Sequence, residues 1–352
     1  MKQIEEIYWL RFYGCLAVFA FHLIDRIERN YLDHLALDIA RIPTVLGTPI
    51  FIFISIFLLA IRYGNDTPRD FLAKRCKYVM VPYLVYGMVY SSAEYVRLLA
   101  SGEHVSIMAH MREYLVFAGW HGYFLVIAMQ FYVLFWLYQR FQLHRWLCSG
   151  TGLLVGAAIS MGWWALFRWQ EIETPGYLHW IAPFGWLYLF CLAILLARYY
   201  PDLRSQPWLR RFAHPGWLLA LLAAILFFAA RGELMFSSKE TWVVPLFIVF
   251  MLWALPWLAG KAPTSLVMAI NVSSFGIYLA HPLFFSVVDF VRWQVSMPLW
   301  LYVIALAVVG MGGSILLNRL ANRADWSAML LGRQLPTTRP GQAERGYVLA
   351  AS

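Results

Sequence analysis

Charged residues are scarce in this chain of 352 residues: they make up 13% of it, whereas hydrophobic residues make up 61%. A soluble domain carries about 25% charged residues, so the composition excludes an ordinary soluble protein and indicates a membrane protein. The net charge is +9, which in a soluble protein would favour nucleic acid as a partner. Here the basic residues lie in short loops between apolar stretches, so we expect membrane lipid and no nucleic acid as a partner.

Cysteine is also rare, and its four residues show no CxxC spacing: they are Cys15, Cys76, Cys148 and Cys191. All four fall within predicted helices or at their ends, so we expect neither a disulfide framework nor a metal. The chain shows no internal repeat, and no acidic residue falls in the middle of a predicted span, although transporters often show both features. No small-residue cleavage site follows the first apolar stretch, so we expect that stretch to remain in the protein.

Long apolar stretches make up most of the chain. Windows of about 20 apolar residues predict ten membrane-spanning helices: residues 7–25, 43–62, 78–99, 117–138, 147–167, 180–199, 216–230, 242–259, 266–289 and 298–318. If both termini are inside, the inner segments hold 18 Lys and Arg residues and the outer segments hold 9. This asymmetry predicts cytoplasmic termini. We therefore predict an all-α polytopic membrane protein, with a membrane domain over residues 1–325 and a disordered cytoplasmic tail over residues 326–352.

Two polar side chains interrupt the first apolar stretch, residues 8–24 (YWLRFYGCLAVFAFHLI): Arg11 near its start and His22 near its end. Eleven helical steps of about 100° return a side chain to within roughly 20° of the same face, and they separate the two residues by roughly 16 Å along the axis. An ionisable residue within a membrane helix indicates a functional site. The predicted orientation places Arg11 in the inner half of the membrane and His22 at the outer end.

Histidines are concentrated on the predicted outer side. Seven of them fall there (His22, His34, His104, His110, His121, His179 and His281), and only His144 and His214 fall inside. This distribution favours chemistry or binding at the outer surface. We expect His34, His104, His110 and His179 to be simply solvated. His22 is the leading candidate for a general base, because imidazole commonly serves that role near neutral pH.

Five segments, in order, resemble acyltransferase family 3, a family of bacterial membrane enzymes that O-acylate extracytoplasmic polysaccharides. They are Arg11 and His22 with ten residues between them, residues 51–59 (FIFISIFLL), 74–83 (KRCKYVMVPY), 121–132 (HGYFLVIAMQFY) and 274–282 (SFGIYLAHP). Ile56 stands where the family usually has Gly, and Tyr123 stands where it usually has Trp. The basic segment is most similar to that of the intercellular-adhesin and exopolysaccharide-modifying branch.

The resemblance implies an O-acyltransferase of the bacterial inner membrane, which uses acyl-CoA, by default acetyl-CoA, from the cytoplasm and a sugar hydroxyl outside. Arg11 would pair with a phosphate of coenzyme A. Lys74, Arg75 and Lys77 would add phosphate-binding charge, although the positive-inside rule alone also explains that run. The tetrahedral oxyanion needs hydrogen-bond donors; the candidates are Tyr123, His121, Ser55 and Tyr278.

For several other residues, the sequence allows both a functional and a structural interpretation. His121 and His281 either belong to the site, with His281, Tyr278 and Trp120 contacting the acceptor, or are polar residues that bond a neighbouring helix. Tyr123, Trp120 and Trp180 form either a wall for sugar stacking or an ordinary interfacial belt, and the belt is favoured. Two intrahelical ion pairs are expected, Glu94 with Arg97 and Asp289 with Arg292.

Three functions compete. The first is the acyltransferase, which acts on an exopolysaccharide or its lipid-linked precursor together with other proteins of polysaccharide synthesis or export. The second is an exporter or flippase of polysaccharide or lipid without acyl transfer. The third is a structural subunit of a synthase, which would leave the shared face of Arg11 and His22 without a purpose. The identity of the acyl group is left open.

Overall fold

The computed structural model describes residues 4–64, 66–103, 105–170, 172–200, 202–321 and 323, and within these ranges the chain forms helices and no strand. The helices are α1 (Glu5–Asn30), α2 (Leu35–Thr44), α3 (Gly47–Tyr63), α4 (Phe71–Ala100), α5 (Ile107–Leu115), α6 (Tyr123–Arg140), α7 (His144–Leu147), α8 (Gly150–Trp169), α9 (Leu178–Ile181), α10 (Leu187–Tyr199), α11 (Pro207–Phe212), α12 (Pro215–Ala230), α13 (Val243–Leu258), α14 (Ser265–Gln294) and α15 (Leu299–Ala321).

The prediction of an all-helical protein is confirmed, and each of the ten predicted spans overlaps a helix. Five helical segments are long and apolar enough to cross a membrane: Glu5–Asn30, Leu35–Tyr63, Gly150–Trp169, Ser265–Gln294 and Leu299–Ala321. Three shorter apolar helical segments are Pro183–Tyr199, Pro215–Ala230 and Val243–Leu258. The number of ten crossings and the position of the termini stay predictions. The predicted tail, residues 326–352, lies outside the described residues.

Helices α1 and α14 lie side by side and run in the same direction. Near the start of both, Asn271 donates a hydrogen bond from Nδ2 to the carbonyl oxygen of Tyr8 (2.8 Å). Near the end of both, Asn30 Nδ2 lies 3.3 Å from Asp289 Oδ1. Parallel neighbours agree with the predicted topology, in which both helices cross from inside to outside. We call the end that holds Asn30 the outer end of the molecule, after that prediction, and the opposite end the inner end.

Helix α3 packs against α1 at very short range and runs in the opposite direction. At the start of α3, a Cβ atom added to Gly47 would lie 2.6 Å from Val18 Cγ2 and 2.9 Å from the Val18 backbone nitrogen. Further along, a Cβ atom on Gly14 of α1 would lie 3.0 Å from Ile50 Cγ2. Small residues allow this approach, as is common between membrane helices. The contact places α1 in the interior of the bundle, between α3 and α14.

Helix α15 packs against α14 in the antiparallel sense and also contacts α1, where Asn30 donates a hydrogen bond of 2.7 Å to the Tyr302 hydroxyl. At the outer end, the Tyr302 hydroxyl donates a hydrogen bond to Asp289. At the inner end, Asn318 of α15 lies against Gly276 of α14, where an added Cβ atom would come within 2.6 Å of Asn318 Nδ2. These contacts hold α14 against α1 and α15, so the residues of α14 that face α1 are buried.

Candidate active site

Three histidines from distant parts of the chain meet near the outer end. The ring centroids of His22 and His281 are 5.2 Å apart, and the His121 centroid lies 6.0 Å from each of them. His22 comes from α1, His281 from α14, and His121 from the loop before α6. All three are candidate site residues from the sequence. The parallel packing of α1 and α14 brings His22 and His281 to the same level of the bundle.

His281 is completely buried, and its local structure fixes its orientation. Its Nδ1 lies 2.8 Å from the carbonyl oxygen of Ile277, one helical turn earlier. That oxygen can only accept, so Nδ1 carries the proton and Nε2 keeps its lone pair. The next residue, Pro282, has no N–H and leaves the carbonyl of Tyr278 without its helical partner. The His121 ring lies close to this carbonyl and to that of Leu279.

The loop that carries His121 is held by aromatic contacts and a left-handed residue. Ala118 is buried and has a φ of 54°, a conformation that non-glycine residues rarely adopt. Tyr90 of α4 packs edge-on against the His121 ring, with centroids 4.6 Å apart, and stacks on Trp120 at 5.4 Å. The Tyr278 hydroxyl donates a hydrogen bond of 2.7 Å to the His121 carbonyl oxygen. Trp120, Tyr278 and the histidines therefore form one cluster.

The three imidazoles differ in access and in hydrogen bonding. His22 and His121 are partly accessible, whereas His281 is not. The buried Nε2 atoms of His121 and His281 have no partner among the described residues. A neutral imidazole that is accessible and keeps a lone pair can accept a proton from a hydroxyl group. His22 meets the access requirement, and the other two imidazoles surround it.

The three histidines do not converge as metal ligands do. Among the described residues, the only His, Cys, Asp and Glu trio whose ligand atoms all lie within 4.8 Å of one another is Glu28, Asp33 and Asp38. Asp33 is exposed and the other two are partly buried, Glu28 in an ion pair with Arg41; acidic groups of this kind are common without an ion. The absence of a metal stays a prediction.

An ion-pair network lies one helical turn outward from the histidines. Arg26 of α1 pairs with Asp289 of α14, and Asp289 also accepts hydrogen bonds from Asn30 (3.3 Å) and from the Tyr302 hydroxyl. Arg292 instead donates a bond of 2.6 Å to the carbonyl oxygen of Asn30. The expected pairing of Asp289 with Arg292 is therefore wrong, because Arg26 reaches the carboxylate from the neighbouring helix.

The other expected intrahelical pair is confirmed. Arg97 donates to both carboxylate oxygens of Glu94, at 2.6 and 2.8 Å. This pair lies on the exposed surface of α4, and both of its residues belong to that helix. It therefore neutralises two charges without tying α4 to a neighbour.

The predicted donor-binding residues lie at the inner end. Arg11 is partly buried on the α1 face that holds His22, close enough to Cys15 for its charge to act on the thiol. Cys15 Sγ lies 4.0 Å from the carbonyl oxygen of Ser274 in α14, so this face of α1 points at α14. The packing thus places the middle of the stripe against α14, whereas Arg11 and His22 at its two ends are partly buried.

The basic run at the start of α4 is divided among three environments. Lys74 is exposed and pairs with Asp70 at 2.9 Å. The Arg75 guanidinium lies 5.5 Å from the ring centroid of Tyr132 in α6. Lys77 is exposed and lies 5.9 Å from the neighbouring ring of Tyr78. Arg75 is therefore the member of the run that packs against a second helix.

Two of the predicted site residues, Ser55 and Tyr123, make no ring contact or hydrogen bond with the three histidines among the described residues. Ser55 donates to the carbonyl oxygen of Phe51 in its own helix, at 2.9 Å, and no contact among the described residues joins it to the histidines. Tyr123 packs against Tyr177 and Trp180, with ring centroids 5.9 and 6.1 Å apart. Tyr123 therefore belongs to an aromatic group in the outer loops.

Two titratable groups of the outer loops have perturbed pKa values. Burial, together with the nearby Lys239 ammonium, lowers the pKa of His179. Its ring stacks on Phe167 at 4.8 Å and its Nδ1 lies 2.6 Å from Thr174 Oγ1. Burial raises the pKa of Glu240, although its partner Arg168 opposes that shift. The expectation that His179 is simply solvated is wrong.

The remaining loop histidines are consistent with a minor role. His34 is exposed and caps α2 by accepting from the Ala36 N–H at 3.1 Å. His110 packs beside Tyr114, with ring centroids 4.8 Å apart. His104 lies outside the described residues. None of the contacts of His34 and His110 connects them to the three clustered histidines.

Sequence reasoning missed several residues around the histidines. Tyr90 flanks His121, and Phe19 packs on His281 at 5.6 Å. Arg26 was detectable, because it continues the stripe of Arg11 and His22 by one turn. Nothing in the sequence singles out Tyr90, since its role depends on how α4 packs against a loop thirty residues later.

Comparisons with known proteins identify the family of this chain. The model of a family described as an acyltransferase domain matches residues 4–319. A protein of Bacillus subtilis (strain 168) with the provisional name membrane-bound acyltransferase YfiQ is 28% identical over 353 residues, which cover 94% of this chain and 95% of that protein.

Proteins with the provisional name poly-beta-1,6-N-acetyl-D-glucosamine export protein are also similar. The one from Staphylococcus aureus (strain MRSA252) is 26% identical, with 80% of this chain and 83% of that protein covered. The one from Staphylococcus epidermidis is 27% identical, with 80% and 81% covered. No solved structure matches. Because the family model spans nearly the whole chain, this protein belongs to acyltransferase family 3.

Proposed function

We propose that this protein is an O-acyltransferase of the bacterial inner membrane, with ten spans and both termini in the cytoplasm. It transfers an acyl group, by default acetyl, from cytoplasmic acyl-CoA to a sugar hydroxyl of an extracytoplasmic polysaccharide or its lipid-linked precursor. The observation that carries the proposal is the meeting of His22, His121 and His281 at the outer end of a helix whose inner half holds Arg11.

His22 acts as the general base in this scheme. It accepts the proton of the sugar hydroxyl as the oxygen attacks the thioester carbonyl, so that a C–O bond forms. The tetrahedral intermediate then expels the thiolate of coenzyme A as the C–S bond breaks, and the proton passes from His22 to the thiolate. Its partial accessibility and the absence of a hydrogen bond to its ring from any described residue support this role.

The two other histidines support the reaction in different ways. His281 has its proton on Nδ1 and an unpaired Nε2; it is buried in the free protein, and the proposal is that it contacts the sugar once the acceptor has bound. His121 is a candidate donor to the oxyanion, together with Tyr278 and Tyr123. Ser55 and Tyr278 are the weaker of these candidate donors, because their hydroxyl groups already donate to the carbonyl oxygens of Phe51 and His121.

Arg11 binds a phosphate of the donor at the inner side in this proposal. Its guanidinium fits phosphate oxygens in a bidentate manner, and its face of α1 points into the bundle. Arg75, with Lys74 and Lys77, adds positive charge at the same end. The pantetheine arm of the donor then extends along α1 toward His22.

The test is acyl transfer by the purified full-length protein in lipid nanodiscs, with radiolabelled acetyl-CoA and polysaccharide oligomers. His22→Ala and His22→Gln are expected to lower the transfer rate by about 10²–10⁴-fold, the usual contribution of a general base. His144→Ala, which removes an exposed histidine at the start of α7, serves as the matched control and keeps the wild-type rate. Wild-type rates in both His22 variants would overturn the mechanism.

Export without acyl transfer is the second candidate, favoured by the names of the staphylococcal relatives. The two functions predict different products. A transferase forms a polysaccharide ester from acyl-CoA in detergent, where no compartment exists. An exporter instead moves labelled oligosaccharide into sealed vesicles and leaves acyl-CoA intact.

A further inference from the structure

A lysine of the outer loops lies over two aromatic rings near the histidines. The Lys239 Nζ is 3.8 Å from the ring centroid of Trp180 and 4.8 Å from that of Tyr123. Tyr177 packs on Trp180 with centroids 3.9 Å apart. We call these four residues the outer aromatic cluster. Three separate stretches of the chain, the start of α6, the loop around α9 and the loop before α13, contribute to it.

The ammonium of Lys239 has no carboxylate partner among the described residues. Two neighbouring arginines do have one: Arg168 pairs with Glu240 at 2.6 Å, and Arg231 pairs with Glu233 at 2.5 Å. Aromatic faces attract a cation but do not use up its N–H donors. Lys239 therefore keeps hydrogen-bond donors for a ligand.

The outer aromatic cluster is accessible and lies close to the outer end of α1. Tyr177, Trp180 and Lys239 are partly exposed, and only Tyr123 is buried. Tyr123 of the cluster lies two residues after His121, whose ring centroid is 6.0 Å from that of His22. A molecule bound at this cluster is thus close to the three histidines.

The same loop that carries Lys239 also borders open space. A cavity of about 540 Å³ is lined by three residues of α2 and by seven from the end of α12 and the loop after it: Leu35, Asp38, Arg41, Ala229, Ala230, Gly232, Leu234, Met235, Phe236 and Ser237. Pockets of about 300–1,000 Å³ are typical of small-molecule sites. The loop before α13 thus contributes both to this cavity and, through Lys239, to the outer aromatic cluster.

We propose that the outer aromatic cluster binds one pyranose unit of the acceptor. This inference rests on the proposed function and identifies where the sugar of that reaction binds. The apolar C–H face of the pyranose packs on the part of the Trp180 and Tyr177 rings that stays accessible. Lys239 donates hydrogen bonds to ring, hydroxyl or amide oxygens of the sugar. Lys239 and Trp180 are thus specificity residues for the acceptor and do not take part in the bond-making step.

The test compares Lys239→Met and Trp180→Leu with wild-type protein in nanodiscs. Lys239→Met keeps the length of the side chain but loses the donors. Each variant is expected to raise the KM for the oligosaccharide at least 10-fold, with the KM for acyl-CoA unchanged within twofold. Arg231→Met is the matched control, because it removes an outer cation that lies 5.7 Å from the ring centroid of Phe227 and already has a carboxylate partner. It is expected to leave both constants unchanged.

Sugar binding without turnover separates this proposal from the proposed function. Saturation-transfer NMR with oligosaccharides of hexose, N-acetylhexosamine and uronic acid type, β-1,6-linked N-acetylglucosamine among them, reports contact between sugar C–H groups and the protein. Signals that are present in wild-type protein and lost in Trp180→Leu support the site even if no ester forms. Absence of binding by every oligosaccharide, or equal signals and equal KM values in wild type and both variants, would overturn it. Unchanged thermal unfolding in the variants shows that they are folded.

Discussion

Arg26 of α1 and Asp289 of α14 form an ion pair one turn outward from His22 and two turns outward from His281. Both side chains are mostly buried, and the carboxylate also accepts hydrogen bonds from Asn30 and Tyr302. The pair therefore connects the two helices that carry two of the three clustered histidines. Its partners on α1 and α15 leave the carboxylate little freedom to move.

Removal of the carboxylate is expected to be costly. Asp289→Ala leaves a largely buried arginine without its partner, and such changes destabilise proteins by about 3–5 kcal/mol. Glu94→Ala, which breaks an exposed pair, is expected to cost less than about 1 kcal/mol. Thermal unfolding in detergent measures both. If Arg26→Met with Asp289→Leu does not recover stability relative to Asp289→Ala, the unpaired charge is not the cause.

Arg11 is predicted to affect the donor and not the acceptor. Arg11→Ala is expected to raise the KM for acyl-CoA about 10-fold or more, because one charge-assisted hydrogen bond contributes about 1.5–3 kcal/mol. The KM for oligosaccharide should stay unchanged. Arg140→Ala, an exposed change at the inner end of α6, is the control. Equal loss of affinity for both substrates would indicate a structural role for Arg11.

The lowered pKa of His179 predicts that the folded protein loses stability in acid. Its folded pKa lies below the ordinary value of 6.5, so the unfolded chain binds protons more readily. The stability that this residue contributes is present above pH 6.5 and is lost as the pH falls toward the lowered pKa. His179→Gln should therefore show a smaller drop in melting temperature between pH 7 and pH 5 than wild-type protein. His144→Gln should keep the wild-type drop, and an equal slope in all three proteins would refute the assignment.

The contact between α1 and α3 predicts opposite effects for two glycines. Gly47→Ala forces a methyl group against the Val18 side chain and backbone, and overpacking of this kind costs about 1–3 kcal/mol. Gly162→Ala in α8 meets open space and is expected to be neutral or slightly stabilising, because Ala favours helix. Melting temperatures of the two variants test this, and equal values would show that α1 and α3 can separate without cost.

The helices were predictable because hydrophobic length is a local property. A window of about 20 apolar residues identifies a span without knowledge of its neighbours, and every predicted span overlaps a helix. The ends were less accurate: α4 runs from Phe71, well before the predicted start at residue 78. Membrane thickness limits the apolar part of a helix, whereas the helix itself continues into polar surroundings.

The site was predictable only where its residues share a helix face or a family motif. Arg11 and His22 follow from periodicity alone. The pairing of Arg26 with Asp289 was not predictable, because two residues 263 positions apart meet only through the packing of α1 on α14. Lys239 was missed for the same reason: its loop carries no motif, and its aromatic neighbours come from two other segments.

The histidine cluster draws on both extremes of the chain, since His22 lies in the first helix and His281 in the fourteenth. A nascent polypeptide therefore holds no complete centre until almost all of its helices have entered the bilayer. Under the proposed mechanism, a partly synthesised molecule therefore cannot consume donor thioester. Assembly of the cluster is a late event of biogenesis, and truncation anywhere before α14 leaves the cluster incomplete.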